Sequence, residues 1–167
     1  MKSNVFLGGA CGTTTWRQDT AIPTLEAAGL SYFNPQLGLG EWTEECEYIE
    51  QQAKDEADIL LFVVNSRTRG VASLAEVAYF VASKRPIVLV LSDVKEGSLI
   101  EGDIISASEC HDLNRGRFYV QAMAEMHLIP VFETVESALE YIINAQSTPM
   151  TLPPLSEPEP VLKELDT

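Results

Sequence analysis

The chain has 167 residues, 46% of them hydrophobic and 22% charged, and its formal net charge is −14. Its apolar runs exclude a mainly disordered chain, because their burial can offset the entropy lost on ordering. The acidic balance argues against binding nucleic acid polymers or anionic membranes, and no apolar stretch approaches the ~20 residues that span a bilayer. Cysteines 11, 46 and 110 are odd in number and widely spaced. We therefore expect a cytoplasmic protein with free thiols and no metal site.

Apolar runs alternate with helical patterns along the chain. Predicted strands cover residues 4–8, 31–34, 59–64, 86–91 and 129–132. Predicted helices cover residues 20–28, 43–56, 73–84, 112–127 and 134–145. Five strands separated by helices predict a doubly wound, five-stranded parallel sheet in a three-layer α/β/α arrangement, with strand order 2-1-3-4-5.

The composition changes near Gln146. Residues 1–146 form the predicted domain, whereas residues 147–167 contain five of the nine prolines and are net acidic. Such a segment is typical of an extended tail. An arm that packs on a neighbouring subunit is the alternative.

Ligands of doubly wound sheets bind beyond the carboxyl ends of the strands, where the strand order switches. The first loop at that edge reads GGACGTTTWR. Gly8 and Gly9 would let the backbone approach a ligand, and Thr13 and Thr14 with a helix N-terminus would hold an anion. A tight strand-to-helix turn is the alternative, since the loop has neither GKS/GKT nor a full GxGxxG.

The second loop carries Asn34, Gln36 and Trp42. Amides and an aromatic ring suit a base or a sugar. An Asn-Pro turn with the tryptophan covering the core is the alternative interpretation.

The third loop, with Asn65, Arg67 and Arg69, leads into a helix whose apolar stripe at i, i+3, i+4 and i+7 faces the sheet. Glu76 lies off this stripe, in the first predicted turn beside the ligand edge. Ser73 and Glu76 also match a capping box, which requires no function.

The fourth loop, residues 92–111, is long enough for a lid or a binding loop, and Asn114 and Arg115 follow it. Five of the six arginines follow strands one, three and four: Arg17, Arg67, Arg69, Arg115 and Arg117. Arginines gathered at one edge favour a bound phosphate or carboxylate. Local ion pairs with Asp19, Glu109 and Asp112 are the alternative.

Four segments in order, FLGGACGTTTWRQD, YFNPQ with a following W, LLFVVNSRTRGVASLAE and DLNRGR, resemble the nucleoside 2-deoxyribosyltransferase-like family over about residues 4–145. The resemblance implies a flavodoxin-like (Rossmann-like) fold, a homo-oligomer, a small-molecule nucleoside or nucleotide ligand and no cofactor. It assigns the nucleophilic glutamate, at the start of the helix after strand three, to Glu76. The family's carboxylate a few residues earlier is missing from RGVA at 69–72, so Asp19, Asp93 or Asp112 would replace it.

The implied chemistry is cleavage or transfer of a (deoxy)ribosyl group through two displacements at C1′, as in retaining glycosidases. The protein would then be a nucleoside 2-deoxyribosyltransferase or a (deoxy)nucleotide N-glycosidase. A nucleotide-binding sensor or scaffold without chemistry is the rival. The predicted substrate-binding residues are Gly8, Gly9, Thr13, Thr14, Trp16, Arg17, Asn34, Gln36, Trp42, Asn65, Arg67, Arg69, Ser73, Asn114 and Arg115.

Overall fold

The structure is a computed structural model that describes residues 4–37 and 43–147. Trp42 and the predicted tail beyond Ser147 lie outside the described residues. No helix within the described ranges has the length and apolar character that a membrane span requires.

Five parallel strands form the main sheet. They are β1 (Asn4–Gly9), β2 (Ser31–Phe33), β3 (Ile59–Val64), β4 (Ile87–Leu91) and β7 (Val131–Phe132), and they lie in the order β2-β1-β3-β4-β7. A separate antiparallel hairpin contains β5 (Leu99–Ile100) and β6 (Asp103–Ile104). Without this hairpin the observed order is the predicted 2-1-3-4-5, so the doubly wound fold is confirmed.

Helices cover both faces of the sheet. They are α1 (Ile22–Ala27), preceded by a π-helical turn (Arg17–Ala21), α2 (Glu44–Glu56), α3 (Val71–Ala82), α4 (Ala107–Met126) and α5 (Val135–Ser147). Phe6 packs in a core cluster with residues of α2, α3 and α4. Its neighbours Val5 and Leu7 pack in a second cluster with residues of α1 and α5. This alternation along β1 places α2 and α3 together on one face, as strand geometry requires.

Two predicted helix starts are wrong. Helix α3 begins at Val71, because Gly70 takes the left-handed conformation (φ 65°) as N-cap and its carbonyl accepts from Leu74 N at 2.9 Å. Ser73 is therefore the third helical residue, and it does not form the capping box with Glu76. Helix α4 begins five residues before the predicted Asp112, since the Ser106 side chain caps it by accepting from Glu109 N at 3.2 Å.

A threonine and a glycine mark two further helix ends. Thr43 is the N-cap of α2, where its hydroxyl accepts from Cys46 N at 3.3 Å. Gly29 follows α1 with φ 71°. Cys11, Cys46 and Cys110 all lie in the described residues, and no disulfide bond joins them.

Candidate active site

The loop after β1 is organised around the side chain of Arg17. The guanidinium is completely buried and donates to the carbonyls of Leu7 (3.0 Å), Gly9 (2.8 Å) and Ala10 (3.2 Å). These three bonds fix the path of the backbone at the carboxyl end of β1. Arg17 therefore supports the loop from inside and does not present its charge to a ligand, contrary to the expectation from sequence.

Gly9 lets this loop lie against β3. Its φ of 121° is unfavourable for other residues, and a Cβ at this position would collide with the carbonyl oxygen of Val63. Gly8, one residue earlier, is buried against the ring of Phe62. Both glycines are thus required for packing at the sheet edge, where the sequence predicted close approach to a ligand.

The loop after β2 is joined to the first loop by Gln36. The Gln36 amide donates to the carbonyls of Cys11 (2.7 Å) and Thr14 (2.9 Å), and its oxygen accepts from Gln18 at 2.8 Å. Asn34 closes the turn by accepting from Gln36 N at 3.0 Å. These side chains position the two loops, and Trp42, predicted from the same loop, lies outside the described residues.

The carboxylate of Glu76 lies between α3 and α2. It accepts a hydrogen bond from Lys54 Nζ on α2, and the same nitrogen lies 2.8 Å from Glu50 Oε1, one turn earlier on α2. The side chain of Lys54 is only 8% exposed, whereas those of Glu76 and Glu50 are 35% and 32% exposed. A buried ammonium is therefore shared by two carboxylates that reach solvent; we call these three residues the Glu50–Lys54–Glu76 cluster.

Aromatic packing and charge hold Lys54 in the cluster. Its ammonium lies 5.4 Å from the ring centroid of Phe6, a cation–π contact beneath the site. Burial lowers the pKa of Lys54, but its hydrogen bonds to Glu50 and Glu76 outweigh that effect and raise the pKa above its ordinary value of 10.5. Lys54 is thus a fixed positive charge at neutral pH.

Cys11 connects this cluster to the first loop. Burial raises the pKa of the Cys11 thiol, opposed by Arg17 and Lys54 and reinforced by Glu50 and Glu76. All four charged groups therefore act on one thiol in the loop that follows β1. The charges of the cluster thus affect the first loop, and Lys54 lies over the ring of Phe6 in the strand that leads into that loop.

The remaining arginines do not form the predicted anion-binding edge. Arg117 is completely buried and donates to the carbonyls of Ser92 (3.1 Å) and Thr68 (2.8 Å). Arg69 pairs with three carboxylates on the hairpin and α4, those of Glu101 (3.2 Å), Asp103 (3.1 Å) and Glu109 (2.8 Å). Local pairing, the alternative weighed from sequence, describes Arg69, although only Glu109 among its partners was anticipated.

Arg67 and Arg115 are exposed, and neither forms an ion pair within residues 4–37 and 43–147. Arg67 lines a cavity of about 350 Å³ beside the first loop, together with Thr13, Thr14 and Asn65. The same cavity contains the carboxylates of Asp19 and Glu136. Arg67 is thus the predicted cationic ligand that lies beside the first loop. Its guanidinium has no ion pair in the described part of the chain.

Several other predicted site residues have structural partners. The Asn114 amide bonds to both main-chain groups of Val94, at 2.8 and 2.9 Å. Asn65 accepts from Arg67 N at 2.9 Å, Thr14 donates to Ala10 O at 3.1 Å, and Ser73 is buried in α3. Trp16 packs in the core, and the small part of it that is exposed lines the cavity beside the first loop.

The three aspartates considered as proton donors do not share a cavity with one another. Asp19, Asp93 and Asp112 line three different cavities, and Glu76 lines none of these three. Sequence reasoning instead missed Glu50 and Lys54. Their i, i+4 spacing on a predicted helix was the only available signal, and such pairs are common on solvated helix faces.

The sequence model of the family described as "Nucleoside 2-deoxyribosyltransferase like" matches residues 2–94, which is more than half of the 167 residues. The chain belongs to the nucleoside 2-deoxyribosyltransferase-like family. The match ends after β4, so it includes Glu50, Lys54 and Glu76 of this family member. A search of curated proteins finds no match.

Three solved structures are similar to this chain at low sequence identity. A crystal structure of a conserved protein from Enterococcus faecalis V583 is 12% identical, with a TM-score of 0.55, over 86% of this chain and 99% of that chain. A 2-deoxyribosyltransferase from Bacillus psychrosaccharolyticus is 13% identical, with a TM-score of 0.43, over 53% of this chain and 72% of that chain. The TIR domains of the activated Roq1 resistosome are 16% identical, with a TM-score of 0.47, over 86% and 98%. The first of these similarities supports only the fold of this family member. The other two structures have TM-scores below 0.5 and carry no argument.

Proposed function

We propose that this protein cleaves the N-glycosidic bond of a nucleoside or nucleotide, or transfers its (deoxy)ribosyl group, with Glu76 as the nucleophile. The observation that carries the proposal is the placement of the Glu76 carboxylate. It is one-third exposed, it is free of the helix cap, and it is held by Lys54, whose ammonium lies over the ring of Phe6 in β1. Membership of the nucleoside 2-deoxyribosyltransferase-like family supports the substrate class.

The nucleophile must be ionised to attack. Glu76 is the sixth residue of α3, and the effect of a helix N-terminus falls off within the first turn. The ammonium of Lys54 supplies the missing stabilisation, because an opposite charge at hydrogen-bond distance favours the ionised carboxylate. In the first displacement, a Glu76 oxygen bonds to C1′ and the bond from C1′ to the base breaks. In the second, water or another base attacks C1′ and releases Glu76.

A phosphorylated substrate is part of the proposal. Arg67 has no ion pair among the described residues, and it lines a cavity that the hydroxyl-bearing residues Thr13 and Thr14 also line. This arrangement suits a 5′-phosphate, whose charge a guanidinium binds well. We also propose that the protein works in the cytoplasm as a homo-oligomer.

The rival is a nucleotide-binding domain without chemistry. The pairing of Glu76 with Lys54 favours it, because a neutralised carboxylate is a weaker nucleophile. Under this proposal, substrate would bind in the same site and leave unchanged.

Base release distinguishes the two proposals. The protein is incubated with 2′-deoxynucleosides and their 5′-monophosphates, and free base is measured by chromatography. We expect release by the wild type and a loss of at least ~10³-fold in Glu76→Gln. Glu140→Gln, an exposed site on α5, is the matched control and should keep full activity. Binding of these compounds without release would support the rival, and an active Glu76→Gln would contradict the role of Glu76.

A further inference from the structure

The structure supplies a second carboxylate for this chemistry, and sequence reasoning had not identified it. The oxygen of Glu50 that faces Lys54 and the oxygen of Glu76 are bonded to one nitrogen. Because each such hydrogen bond spans roughly 3 Å, the two oxygens lie within about 6 Å of each other. Retaining glycosidases hold their two carboxyl groups about 5–5.5 Å apart. The separation therefore fits a pair that acts on one anomeric carbon.

We infer that Glu50 is the acid/base catalyst of this site, which donates a proton to the departing base and later removes one from the acceptor. The inference rests on the proposed function. It gives Glu50 the task that the family assigns to the carboxylate missing from residues 69–72.

The position of Glu50 supports this role. Its side chain is about one-third exposed, so it can meet a ligand, whereas Lys54 beneath it is buried. Glu50 also affects the electrostatics of Cys11 and Arg17, both in or next to the first loop. Lys54, the partner of Glu50, lies over the ring of Phe6 in β1, the strand that leads into the first loop. Asp19, Asp93 and Asp112 each line one of the three cavities, and neither Glu50 nor Glu76 lines any of these three.

The shared ammonium keeps the charge balanced through the reaction. In the form that reacts, Lys54 is positive, Glu76 is ionised and Glu50 has taken a proton from solvent, because one ammonium neutralises only one of two neighbouring carboxylates. Glu76 then forms an ester bond to C1′, the electron pair of the broken bond goes to the base nitrogen, and the Glu50 proton follows it. Glu76 is now neutral and Glu50 is ionised, so the cluster has the same net charge. Lys54 acts as a positioning residue that neutralises whichever carboxylate is charged.

The second step reverses this movement. Water or an incoming base gives its proton to ionised Glu50 and bonds to C1′, while the bond between C1′ and Glu76 breaks. Glu76 leaves as a carboxylate, and Glu50 is protonated again. No oxidant, reductant or further reactant is needed.

The test compares Glu50→Gln with Glu47→Gln, which changes an exposed glutamate on the same helix. The first substrate is a 2′-deoxynucleoside 5′-monophosphate, whose base must be protonated as it leaves. The second is 7-methyl-2′-deoxyguanosine, whose cationic base leaves as a neutral molecule. We expect Glu50→Gln to lower base release from the first substrate by ~10²–10⁴-fold, and from the second by less than ~10-fold in the first turnover. Glu47→Gln should match the wild type on both.

Chemical rescue provides a readout that a structural role of Glu50 would not change. Azide is added to Glu50→Ala during turnover of 7-methyl-2′-deoxyguanosine, and thermal unfolding confirms that the variant is folded. We expect faster turnover and a deoxyribosyl azide with the anomeric configuration of the substrate. If Glu50→Ala does not fold, the comparison of the two substrates with Glu50→Gln tests the role of Glu50. Glu50→Gln keeps a side-chain oxygen that can bind Lys54.

The outcomes separate the two proposals. The proposed function stands if Glu76→Gln abolishes base release. The role of Glu50 is overturned if Glu50→Gln lowers base release equally from both substrates. It is also overturned if Glu50→Gln behaves like Glu47→Gln. If the wild type releases no base from either substrate, the proposed function fails, and the role of Glu50 fails with it.

Discussion

Two kinds of buried cation are found in this protein. Arg17 and Arg117 are completely buried and donate mainly to backbone carbonyls of loops at the carboxyl edge of the sheet. Lys54 is buried beneath two side-chain carboxylates, those of Glu50 and Glu76. Burial lowers the pKa of both arginines, whereas the carboxylate partners raise the pKa of Lys54 despite its burial.

The partners explain the difference in role. A carbonyl oxygen is part of the backbone and has no charge to give up, so a guanidinium bound to several of them fixes a loop. A carboxylate on a side chain can turn, bind a proton or attack a carbon atom. Arg17 and Arg117, which the sequence placed among possible anion ligands, therefore support loops, whereas Lys54 holds the two carboxylates of the proposed chemistry.

The largest expected effect on stability is that of Arg17→Met. The substitution leaves the carbonyls of Leu7, Gly9 and Ala10 without their donor in a buried place. Unsatisfied buried groups cost about 1–3 kcal/mol each, so we expect a loss of about 3 kcal/mol or more in the free energy of unfolding. Urea denaturation measures it, and exposed Arg115→Met should change it by less than about 0.5 kcal/mol. Equal effects of the two substitutions would remove the distinction between a loop-supporting and an exposed arginine.

A smaller effect is expected for Lys54→Met, and it should depend on pH. The variant leaves Glu50 and Glu76 close together but partly solvated, so we expect a loss of about 1–2 kcal/mol at pH 7. Because the pKa of Lys54 is raised in the folded protein, its contribution is complete below pH 10.5 and is lost as the pH rises through the folded pKa.

The pH dependence is measured as the difference between wild type and variant in urea denaturation from pH 7 to pH 11.5. The groups that face Lys54 are Glu50, Glu76 and Cys11, and of these the thiol of Cys11 also titrates at alkaline pH. Exposed Lys95→Met is the control, and its difference from wild type should stay constant. If the difference in the free energy of unfolding between wild type and Lys54→Met grows above pH 10.5, the pairing of Lys54 with Glu50 and Glu76 is contradicted.

The smallest effect is expected for Arg69→Gln. Arg69 has three carboxylate partners, like a buried cation, but Glu101 and Asp103 are more than half exposed. Exposed pairs contribute about 0–1 kcal/mol and are screened by salt. We expect a loss below about 1 kcal/mol at low ionic strength that vanishes in 1 M NaCl. A loss that persists in salt would place Arg69 with Arg17 rather than with surface ion pairs.

The sequence identified the elements better than their ends. Continuous apolar runs at β3 and β4 predicted two central strands, because strands buried on both faces need no polar alternation. The start of α3 was wrong because a glycine in the left-handed conformation replaced the expected serine cap. The start of α4 was wrong because Ser106 offered an earlier cap than Asp112.

By itself, the sequence determined the strand order of the parallel sheet, the family and the position of Glu76 on the helix after the third strand. These properties depend on local periodicity and on motifs that are contiguous in the chain. The tertiary structure alone decided that Arg17 and Arg117 point inward and that Lys54 and Glu50 meet Glu76 across 22 or more positions. Such contacts arise where two crossover helices pack on one face of the sheet, and no local pattern encodes which side chains meet there.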